Sequence, residues 1–241
     1  MGRLSWRRAA VVGVRDETAT VRTLTLKVDD WTGHRPGQHV DLRLTAADGY
    51  TAVRPYSIAT PANGSHIDLT VALAEDGEVS GYLVTGAEIG TELEVRGPLG
   101  GWFVWDTGDA VPVQLVGGGV GVAPLMAMLR AHDRVAVRHP MRLLYSTRSP
   151  DTLLYASELA IRLRDPDPAT AVTLLYTREA PDEAARPPGR ITLSDLAAYA
   201  LSPSPRTRCY VCGSTGFVEA AIELLLKAGF AADTIRAERF G

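Results

Sequence analysis

The sequence predicts two domains, a small antiparallel β-barrel followed by an α/β domain built on a parallel sheet. Its 241 residues exceed the usual size of a single domain. Short alternating runs separated by turn residues occupy the first half, whereas apolar strands alternate with helical segments in the second half. The composition, 46% hydrophobic and 22% charged, is ordinary for a globular protein.

The first half, residues 8–104, has the pattern of six short strands. These runs are rich in β-branched residues and end at turn residues such as Pro36-Gly37 and Asp48-Gly49. Short strands at even spacing predict a six-stranded antiparallel barrel, because closure removes the exposed edges of a sheet. The predicted strands cover residues 9–14, 19–28, 39–44, 54–57, 66–73 and 92–96.

One predicted strand carries Arg54, Pro55, Tyr56 and Ser57. Residues two apart in a strand share a face, so Arg54 and Tyr56 are expected to point the same way. Tyr56 could then lie flat on a planar ligand while Arg54 holds an anion, which favours a ring that bears a phosphate. A strand-edge arginine beside a core-facing tyrosine is the alternative interpretation.

A loop at residues 77–80, Gly-Glu-Val-Ser, interrupts the strand pattern and leads into a predicted short helix with Ser80 as its N-cap. Free N–H groups at the start of a helix bind phosphate readily. The alternative interpretation is an ordinary capped turn that closes one end of the barrel.

The second half, from about Val111, alternates between strands and helices, which predicts a parallel sheet with helical crossovers. Predicted strands cover residues 111–116, 141–145, 171–176 and 208–212, and predicted helices cover 125–132, 153–164, 192–196 and 216–228. Ligands of such sheets bind at the carboxyl ends of the strands. Four clusters of small or polar residues follow those ends, at 117–124, 146–148, 177–178 and 212–214.

Glycine occupies four of the five positions from Gly117 to Gly121, directly after an apolar strand. Such a stretch lets the backbone approach a bulky anion, and the helix that follows has Pro124 in or near its first turn. The third spacing differs from the G-x-G-x-x-G string of dinucleotide-binding folds. A tight packing turn between strand and helix is the alternative interpretation.

Charge and cysteine content argue against several classes of function. A net charge of −3 without a basic stripe disfavours nucleic acid as a partner. No apolar run is long enough to span a membrane or to form the core of a signal sequence. Cys209 and Cys212 cannot build a disulfide framework, which favours the cytoplasm, and no further Cys or His pair completes a zinc site. Three residues apart in a strand, they face opposite sides, so a redox dithiol is disfavoured.

Seven strings together resemble the ferredoxin–NADP reductase superfamily. They occur in order along nearly the whole chain, at 54–57, 77–80, 97–100, 118–124, 145–148, 212–214 and 238–240. The resemblance implies an FAD-binding β-barrel over residues 1–108 and an NAD(P)-binding α/β domain over residues 109–241.

The resemblance also implies roles at the flavin. Arg54 would hold the flavin phosphate, Tyr56 would pack on the isoalloxazine, and Ser57 would hydrogen-bond the ring near its reactive nitrogen. A pyrophosphate cradle at residues 77–80 favours FAD over FMN, since a second phosphate needs a second set of donors. Phe240 could cover the ring and move aside for hydride transfer. The implied flavin-binding residues are Arg54, Pro55, Tyr56, Ser57, Val71, Leu73, Gly77, Glu78, Val79, Ser80 and Phe240.

For the nicotinamide cofactor, the resemblance implies a second set of residues and three catalytic ones. Ser57, Cys212 and Glu238 would be catalytic, with Cys212 beside the nicotinamide ring. Arginine suits a 2′-phosphate, so the candidates Arg148, Arg178 and Arg190 favour NADPH over NADH. The alternative interpretation is that these arginines are solvated surface charges. The implied binding residues are Gly119, Val120, Gly121, Ser146, Arg148, Thr177, Arg178, Cys212, Gly213 and Ser214.

The sequence departs from the superfamily pattern in three ways. Val120 stands where relatives usually have Thr or Ser, which removes a hydroxyl near the nicotinamide. Ala72 stands where many relatives carry a basic residue, which removes one phosphate contact. A fused iron–sulfur domain is not expected, because it needs four cysteine ligands and the chain has two.

The expected function is that of a reductase that takes hydride from NAD(P)H onto FAD. It would pass electrons to a separate redox protein such as a ferredoxin, a haem protein or an oxygenase component. We expect a monomer without a metal site or membrane insertion. A free flavin reductase or diaphorase is one alternative, disfavoured by the pyrophosphate loop. A non-catalytic flavin-binding redox subunit is the other, and Val120 is the feature that hints at it.

Overall fold

The computed structural model describes residues 5–46 and 48–240, so the outer limits of both predicted domains lie outside the described residues. Within the described part, the first six strands form one antiparallel sheet in the order β4-β3-β6-β1-β2-β5. Their bounds are β1 Trp6–Thr18, β2 Val21–Val28, β3 His39–Thr45, β4 Thr51–Ser57, β5 His66–Ala72 and β6 Glu92–Leu99.

The two edge strands of this sheet approach each other just beyond the end of β4. Ile58 forms an antiparallel bridge with Leu69 of β5, and the N–H of Ala59 donates a 2.8 Å hydrogen bond to the carbonyl of Asp68. The inward side chains, Leu24, Leu42 and Val95 among them, are fully buried. The alternating pattern thus produces the predicted barrel, because each strand presents one apolar face to a common interior.

A short helix, α1 (Glu78–Thr85), follows β5 and buries Val79, Leu83 and Val84 in the barrel core. The predicted N-cap at Ser80 is wrong, because the helix begins at Glu78 and Gly77 occupies the cap position. The Ser80 hydroxyl instead donates to the carbonyl of Gly77 and accepts from the N–H of Ala74, each at 3.1 Å. Ser80 therefore fastens the entering turn from inside the first turn of the helix.

The second domain is a parallel five-stranded sheet in the order β11-β10-β7-β8-β9. Among the described residues, four α-helices pack on its two faces, α2 and α3 on one side and α4 and α5 on the other. The bounds are β7 Val113–Gly118, α2 Val122–His132, β8 Met141–Thr147, α3 Ala156–Arg164, β9 Thr170–Tyr176, α4 Leu193–Tyr199, β10 Arg208–Ser214, α5 Thr215–Lys227 and β11 Ile235–Phe240.

Two details of this domain differ from the sequence prediction. The sheet has a fifth strand, β11, where four strands were predicted. Its charged residues hide the strand pattern, because an edge strand can leave Arg236 and Glu238 partly exposed. The predicted helix at 153–164 begins later, at Ala156, because Tyr155 has a left-handed φ of 55°.

Polar contacts hold the two domains together. The hydroxyls of Tyr155 and Thr70 lie 2.5 Å apart, and the N–H of Tyr155 donates a 2.9 Å hydrogen bond to Glu17. Arg130 pairs with Glu158 and also donates a 2.7 Å hydrogen bond to the carbonyl of Ala59. Tyr155 and Thr70 are both buried, so these bonds fix how the α/β domain sits against the barrel.

No helix in residues 5–46 and 48–240 is both long and apolar enough to cross a membrane. In the same residues, no group of three or more His, Cys, Asp or Glu side chains is arranged to hold a metal ion.

Candidate functional site

A cavity of about 450 Å³ lies where the two domains meet. The barrel contributes β4, the end of β5 and the turn before α1, and the α/β domain contributes the start of α2 and the end of β11. This size lies within the range of small-molecule sites. The cavity is lined by Arg54, Pro55, Tyr56, Ser57, Thr70, Ala72, Leu73, Ala74, Gly77, Val79, Ser80, Val120, Ala123, Arg239 and Phe240.

Arg54 and Tyr56 both line this cavity. Tyr56 is partly buried, and burial raises the pKa of its hydroxyl to about 12, although the Arg54 charge opposes the shift. The Arg54 guanidinium is exposed and donates a 2.8 Å hydrogen bond to the carbonyl of Val53. Across the described ranges no carboxylate forms a salt bridge with Arg54, so its charge is available to an anion.

The backbone turn at Gly77 packs closely against Ser80 and Ala74. A Cβ at Gly77 would lie 2.3 Å from the Ser80 hydroxyl and 2.9 Å from the Ala74 Cβ, so only glycine fits there. The helix α1 has no side-chain cap, and the N–H groups of its first turn lack intrahelical partners by geometry. An uncapped helix start that opens on a cavity is suited to a phosphate group.

Ser57, which lines the cavity, forms a polar pair with Glu238. The buried Ser57 hydroxyl donates a 3.4 Å hydrogen bond to Glu238 Oε2. Burial raises the pKa of Glu238 to about 7, and the bond from Ser57 opposes part of that shift. Glu238 can therefore gain or lose a proton near neutral pH, which is the range a group that takes part in proton transfer needs.

His39 completes this cluster and was missed by the sequence reasoning. It lies directly opposite Ser57 in the β3–β4 pairing, and its Nδ1 lies 3.8 Å from Glu238 Oε1. That Nδ1 is buried and has no hydrogen-bond partner among the described residues. Burial lowers the pKa of His39, so the ring is neutral at pH 7 and its contact with Glu238 is not an ion pair. The strand register, which sequence alone does not provide, was the missing signal.

Cys212 lies beside this cluster but inside the protein. It is 0% exposed and pairs in register with Glu238 on the neighbouring strand. Burial, together with the nearby Glu238 charge, raises the pKa of its thiol well above the usual value. Cys209 packs on the opposite face of the sheet, which agrees with the expectation that the two thiols do not pair. Cys212 therefore acts as a neutral buried group.

The glycine stretch is compatible with both interpretations of its sequence, a tight packing turn and a backbone that an anion can approach. Gly121 packs so closely that a Cβ would lie 2.4 Å from the Cys212 carbonyl oxygen, and a Cβ at Gly118 would lie 2.7 Å from the Phe217 ring. A Cβ at Gly213 would meet the same ring at 2.7 Å. Gly119 instead is exposed, has a φ of +54° and has open space around its Cβ position. The stretch is thus a packing turn that leaves an accessible backbone at its tip.

The polar clusters at the carboxyl ends of the strands gather at one edge of the sheet. The Arg178 N–H donates to the Arg148 carbonyl and the Thr177 N–H to the Thr147 carbonyl, each at 2.9 Å. Both arginine side chains are exposed, as is Arg190. Ser146 is buried at the end of β8, and the exposed Ser214 precedes α5. This edge of the sheet thus carries exposed arginines, and these do not line the main cavity.

Not all predicted residues meet in the cavity. The Val71 side chain is buried inside the barrel, so only its main chain could face a ligand. The Glu78 side chain lines a neighbouring groove instead. The cavity also includes five residues outside the predicted binding and catalytic sets, namely Thr70, Ala72, Ala74, Ala123 and Arg239.

Family models match both halves of the chain. Residues 9–104 match the oxidoreductase FAD-binding domain, and residues 115–223 match the oxidoreductase NAD-binding domain. The chain belongs to the ferredoxin–NADP reductase superfamily. The superfamily assignment agrees with the site, since the first model covers the Arg54 strand and the turn before α1, and the second covers the glycine stretch.

Several curated relatives are named as reductase components of oxygenase systems, and others are flavohemoproteins. The reductase component of propane 2-monooxygenase from Rhodococcus jostii is 27% identical over 97% of this chain and 63% of its own length. The reductase subunit of glycine betaine monooxygenase from Chromohalobacter salexigens is 32% identical over 95% of this chain and 63% of its own length. The chain spans between 60% and 68% of the length of the curated relatives it matches.

Solved structures share the whole fold. The FAD/NAD-binding domain of nitric oxide dioxygenase from Vibrio cholerae superposes with a TM-score of 0.83 at 25% identity, over 99% of this chain and 100% of that one. The cytochrome b5 reductase domain of nitrate reductase from Ulva prolifera gives 0.84 at 21% identity, over 97% of both chains. The predicted fold class is therefore confirmed.

Proposed function

We propose that this protein is an NAD(P)H-dependent FAD oxidoreductase that passes electrons to a separate redox protein. The observation that carries the proposal is the cavity between the two domains. It joins the Arg54-to-Ser57 strand and the uncapped start of α1 on the FAD-binding side to Val120 and Phe240 on the NAD-binding side. Such a position lets two cofactors, one held by each domain, meet at the junction.

The residues of the barrel fit FAD by their chemistry. Arg54 would hold a flavin phosphate, and Tyr56 would lie against the ring, while the N–H groups at the start of α1 would take the second phosphate. The Ser57 hydroxyl would face the ring edge, with Glu238 as its hydrogen-bond acceptor. Bound FAD would supply the chemistry, accepting a hydride and releasing its electrons singly. Phe240 lines the cavity and would cover the ring.

On the nicotinamide side, the exposed backbone at Gly119 would approach the pyrophosphate. The exposed Arg148 and Arg178 would hold the 2′-phosphate of NADPH, which we favour over NADH because arginine suits that group. Cys212, Gly213 and Ser214 would border the nicotinamide. Val120 faces the cavity without a hydroxyl, so it would contribute shape rather than a hydrogen bond.

The acceptor we propose is a ferredoxin, a haem protein or an oxygenase component. Support comes from the monooxygenase systems to which the curated relatives belong. We further propose a domain boundary near residue 108, in the segment between β6 and β7, and a cytoplasmic monomer. The two free, buried cysteines suit a reducing compartment.

Stopped-flow flavin reduction with NADH and NADPH in parallel tests the proposal. The purified protein should be yellow and should bleach with either cofactor, faster with NADPH, and it should then reduce an artificial electron acceptor. A colourless protein that binds no added FAD contradicts the proposal. Flavin that bleaches but dissociates at every turnover would indicate a free flavin reductase instead.

A further inference from the structure

A chain of hydrogen bonds runs from the wall of the main cavity into the closed junction between the two domains. The Tyr155 and Thr70 hydroxyl oxygens lie 2.5 Å apart, and the Thr70 and Thr23 hydroxyl oxygens lie 2.8 Å apart. The Thr23 hydroxyl donates a 2.8 Å hydrogen bond to Glu17 Oε1. We call these four residues the hydroxyl chain. Within the described part of the protein, Thr70 is the member of the chain that lines the cavity.

The hydroxyl chain is closed to solvent. Thr23, Thr70 and Tyr155 are all buried, and the Glu17 side chain is 5% exposed. An ion pair with Arg15 at 2.7 Å and a 2.9 Å hydrogen bond from the Tyr155 N–H hold the Glu17 carboxylate in place. A buried hydroxyl without a partner is costly, so each hydroxyl must find its partners within the chain or in the cavity.

The carboxylate at one end fixes the direction of every hydrogen bond in the chain. An ionised carboxylate only accepts, so Thr23 gives its single hydroxyl proton to Glu17. Thr23 then accepts from Thr70, and Thr70 has no proton left for Tyr155 and accepts from it. Burial raises the pKa of the Tyr155 phenol, so Tyr155 keeps the proton that this last bond requires. All three hydroxyl protons therefore point toward Glu17.

This direction leaves Thr70 with no proton to offer a ligand. Its oxygen has two lone pairs, of which one takes the Tyr155 proton and the other remains free to accept. Thr70 shares the outer face of β5 with Ala72, which also lines the cavity, whereas Val71 points into the barrel. The part of a ligand that meets the Thr70 hydroxyl must therefore carry a hydrogen-bond donor.

Thr70 also lies close to Ser57 where the barrel closes. Ile58, which follows Ser57, forms an antiparallel bridge with Leu69, which precedes Thr70. Ser57 and Thr70 both line the cavity, so a ring bound there would face both residues. An oxidised isoalloxazine has one N–H group, at N3 of the pyrimidine ring that adjoins its reactive nitrogen. That group is the donor that an acceptor-only oxygen at Thr70 requires.

We propose that the Thr70 hydroxyl accepts the N3–H of the flavin ring, and that Glu17 and Thr23 are positioning residues that make Thr70 an acceptor only. The proposal rests on the proposed function, since it takes the cavity to hold the isoalloxazine. Glu17 and Thr23 act through Thr70, because neither lines the cavity in the described part of the chain. The site would thereby recognise the ring by its proton at N3 and disfavour a ring that carries a methyl group there.

Calorimetric titration of the flavin-depleted full chain with FAD and with 3-methyl-FAD tests this assignment. Wild-type protein should prefer FAD. Thr70→Val should weaken FAD binding by about fivefold, the usual effect of losing one neutral hydrogen bond. Binding of 3-methyl-FAD should stay within about twofold, because this flavin has no N3–H to lose and valine has nearly the shape of threonine. Thr70→Ser keeps the hydroxyl and should keep the wild-type preference.

Thr23→Val tests the positioning role. Without the Thr23 oxygen as its acceptor, Thr70 is free to turn its proton toward the ring, so the preference for FAD over 3-methyl-FAD should fall by about threefold. Thr23→Ser retains the hydrogen bonds and should retain the preference. Thr25→Val is the matched control, because Thr25 lies on the same face of β2 and its hydroxyl donates a 2.7 Å hydrogen bond to Asp68, outside the chain.

The deciding quantity is the ratio of the two dissociation constants. Both flavins bind the same folded protein, so a general loss of stability leaves this ratio unchanged. The proposal is overturned if Thr70→Val keeps the wild-type ratio, or if Thr23→Val lowers the ratio no more than Thr25→Val does. A wild-type protein that binds neither flavin would instead overturn the proposed function.

Discussion

Ser57 and Glu238 are 181 residues apart in the chain, yet the Ser57 hydroxyl donates a 3.4 Å hydrogen bond to the Glu238 carboxylate across the domain junction. Ser57 ends β4 of the barrel, and Glu238 lies in β11 at the edge of the parallel sheet. The bond therefore exists only when both domains are folded and docked. Properties that depend on this pair report on the assembled site rather than on either domain.

Glu238→Gln should change how stability depends on pH. Burial raises the pKa of Glu238 from 4.5 to about 7, so the folded state binds this proton more tightly than the unfolded state. In the wild-type protein, the contribution of Glu238 to the free energy of unfolding is fully present below pH 4.5 and is lost as the pH rises through 7. The glutamine variant lacks the charge, so above pH 7 it should be more stable by up to about 3 kcal/mol.

Urea unfolding at pH 5 and pH 8 measures this effect. The variant's advantage should be small at pH 5 and large at pH 8. Glu219→Gln, at an exposed position of α5, is the control and should follow wild type at both pH values. An equal difference between Glu238→Gln and wild type at the two pH values would contradict the raised pKa.

Arg54→Ala should weaken FAD retention, because the cavity would lose the cation assigned to the flavin phosphate. A lost charge-assisted hydrogen bond of about 1.5–3 kcal/mol corresponds to a rise in Kd of roughly tenfold or more. Calorimetric titration with FAD measures it. Ser57→Ala is the contrasting variant, which should keep FAD but slow its reduction by NAD(P)H. The assignments fail if the two variants show the reverse pattern.

Cys212→Ala should slow flavin reduction by NAD(P)H more than it lowers flavin content. Cys209→Ala is a matched control, because both thiols are fully buried and lie on opposite faces of β10. Each substitution should destabilise the fold by about 1 kcal/mol. A difference between the flavin reduction rates of the two variants would therefore come from where each thiol lies and not from lost stability. Equal stopped-flow rates for the two variants would refute the placement of Cys212 beside the nicotinamide.

Gly121→Ala should destabilise the protein by about 3 kcal/mol or more. The added Cβ would lie 2.4 Å from the Cys212 carbonyl oxygen, and neither backbone segment can move easily. Gly216→Ala is the control, since that glycine lies in α5 with open space around it and should stay within about 1 kcal/mol of wild type. Thermal unfolding compares them, and similar melting temperatures would contradict the close packing.

Arg178→Ala should raise the KM for NADPH by about tenfold and leave the KM for NADH nearly unchanged. NADH lacks the 2′-phosphate that the Arg178 guanidinium is assigned to bind. Arg164→Ala, at an exposed arginine of α3 away from the sheet edge, serves as the control. Parallel changes in both KM values would show that Arg178 does not distinguish the two cofactors.

The fold was predictable because its signals are local. Alternation identified the barrel strands, and the switch to strand–helix alternation identified the parallel sheet and all of its strands except β11. That strand was missed because residues 235–240 carry three charged side chains, which an edge strand tolerates. The start of α3 was misplaced because the left-handed conformation of Tyr155 depends on tertiary contacts with Thr70 and Glu17.

The candidate site was predictable where one segment carries the function. The 54–57 strand and the glycine at 77, both candidates from the sequence, line the cavity. The parts that depend on pairing between distant segments were not predictable. His39 reaches Glu238 through strand register and domain docking, and Tyr50 meets Glu78 because the β3–β4 hairpin folds over α1. No local sequence pattern records either relationship.

The strand β11 has a consequence for biosynthesis. The barrel is complete once β6 has formed, but Arg239 and Phe240, which line the cavity between the two domains, are synthesised only after all the elements from β7 to α5. A nascent chain stalled before Ile235 would present a folded barrel with one wall of this cavity missing. Stable flavin capture should therefore follow the synthesis of β11, and flavin retained on chains stalled before Ile235 would show otherwise.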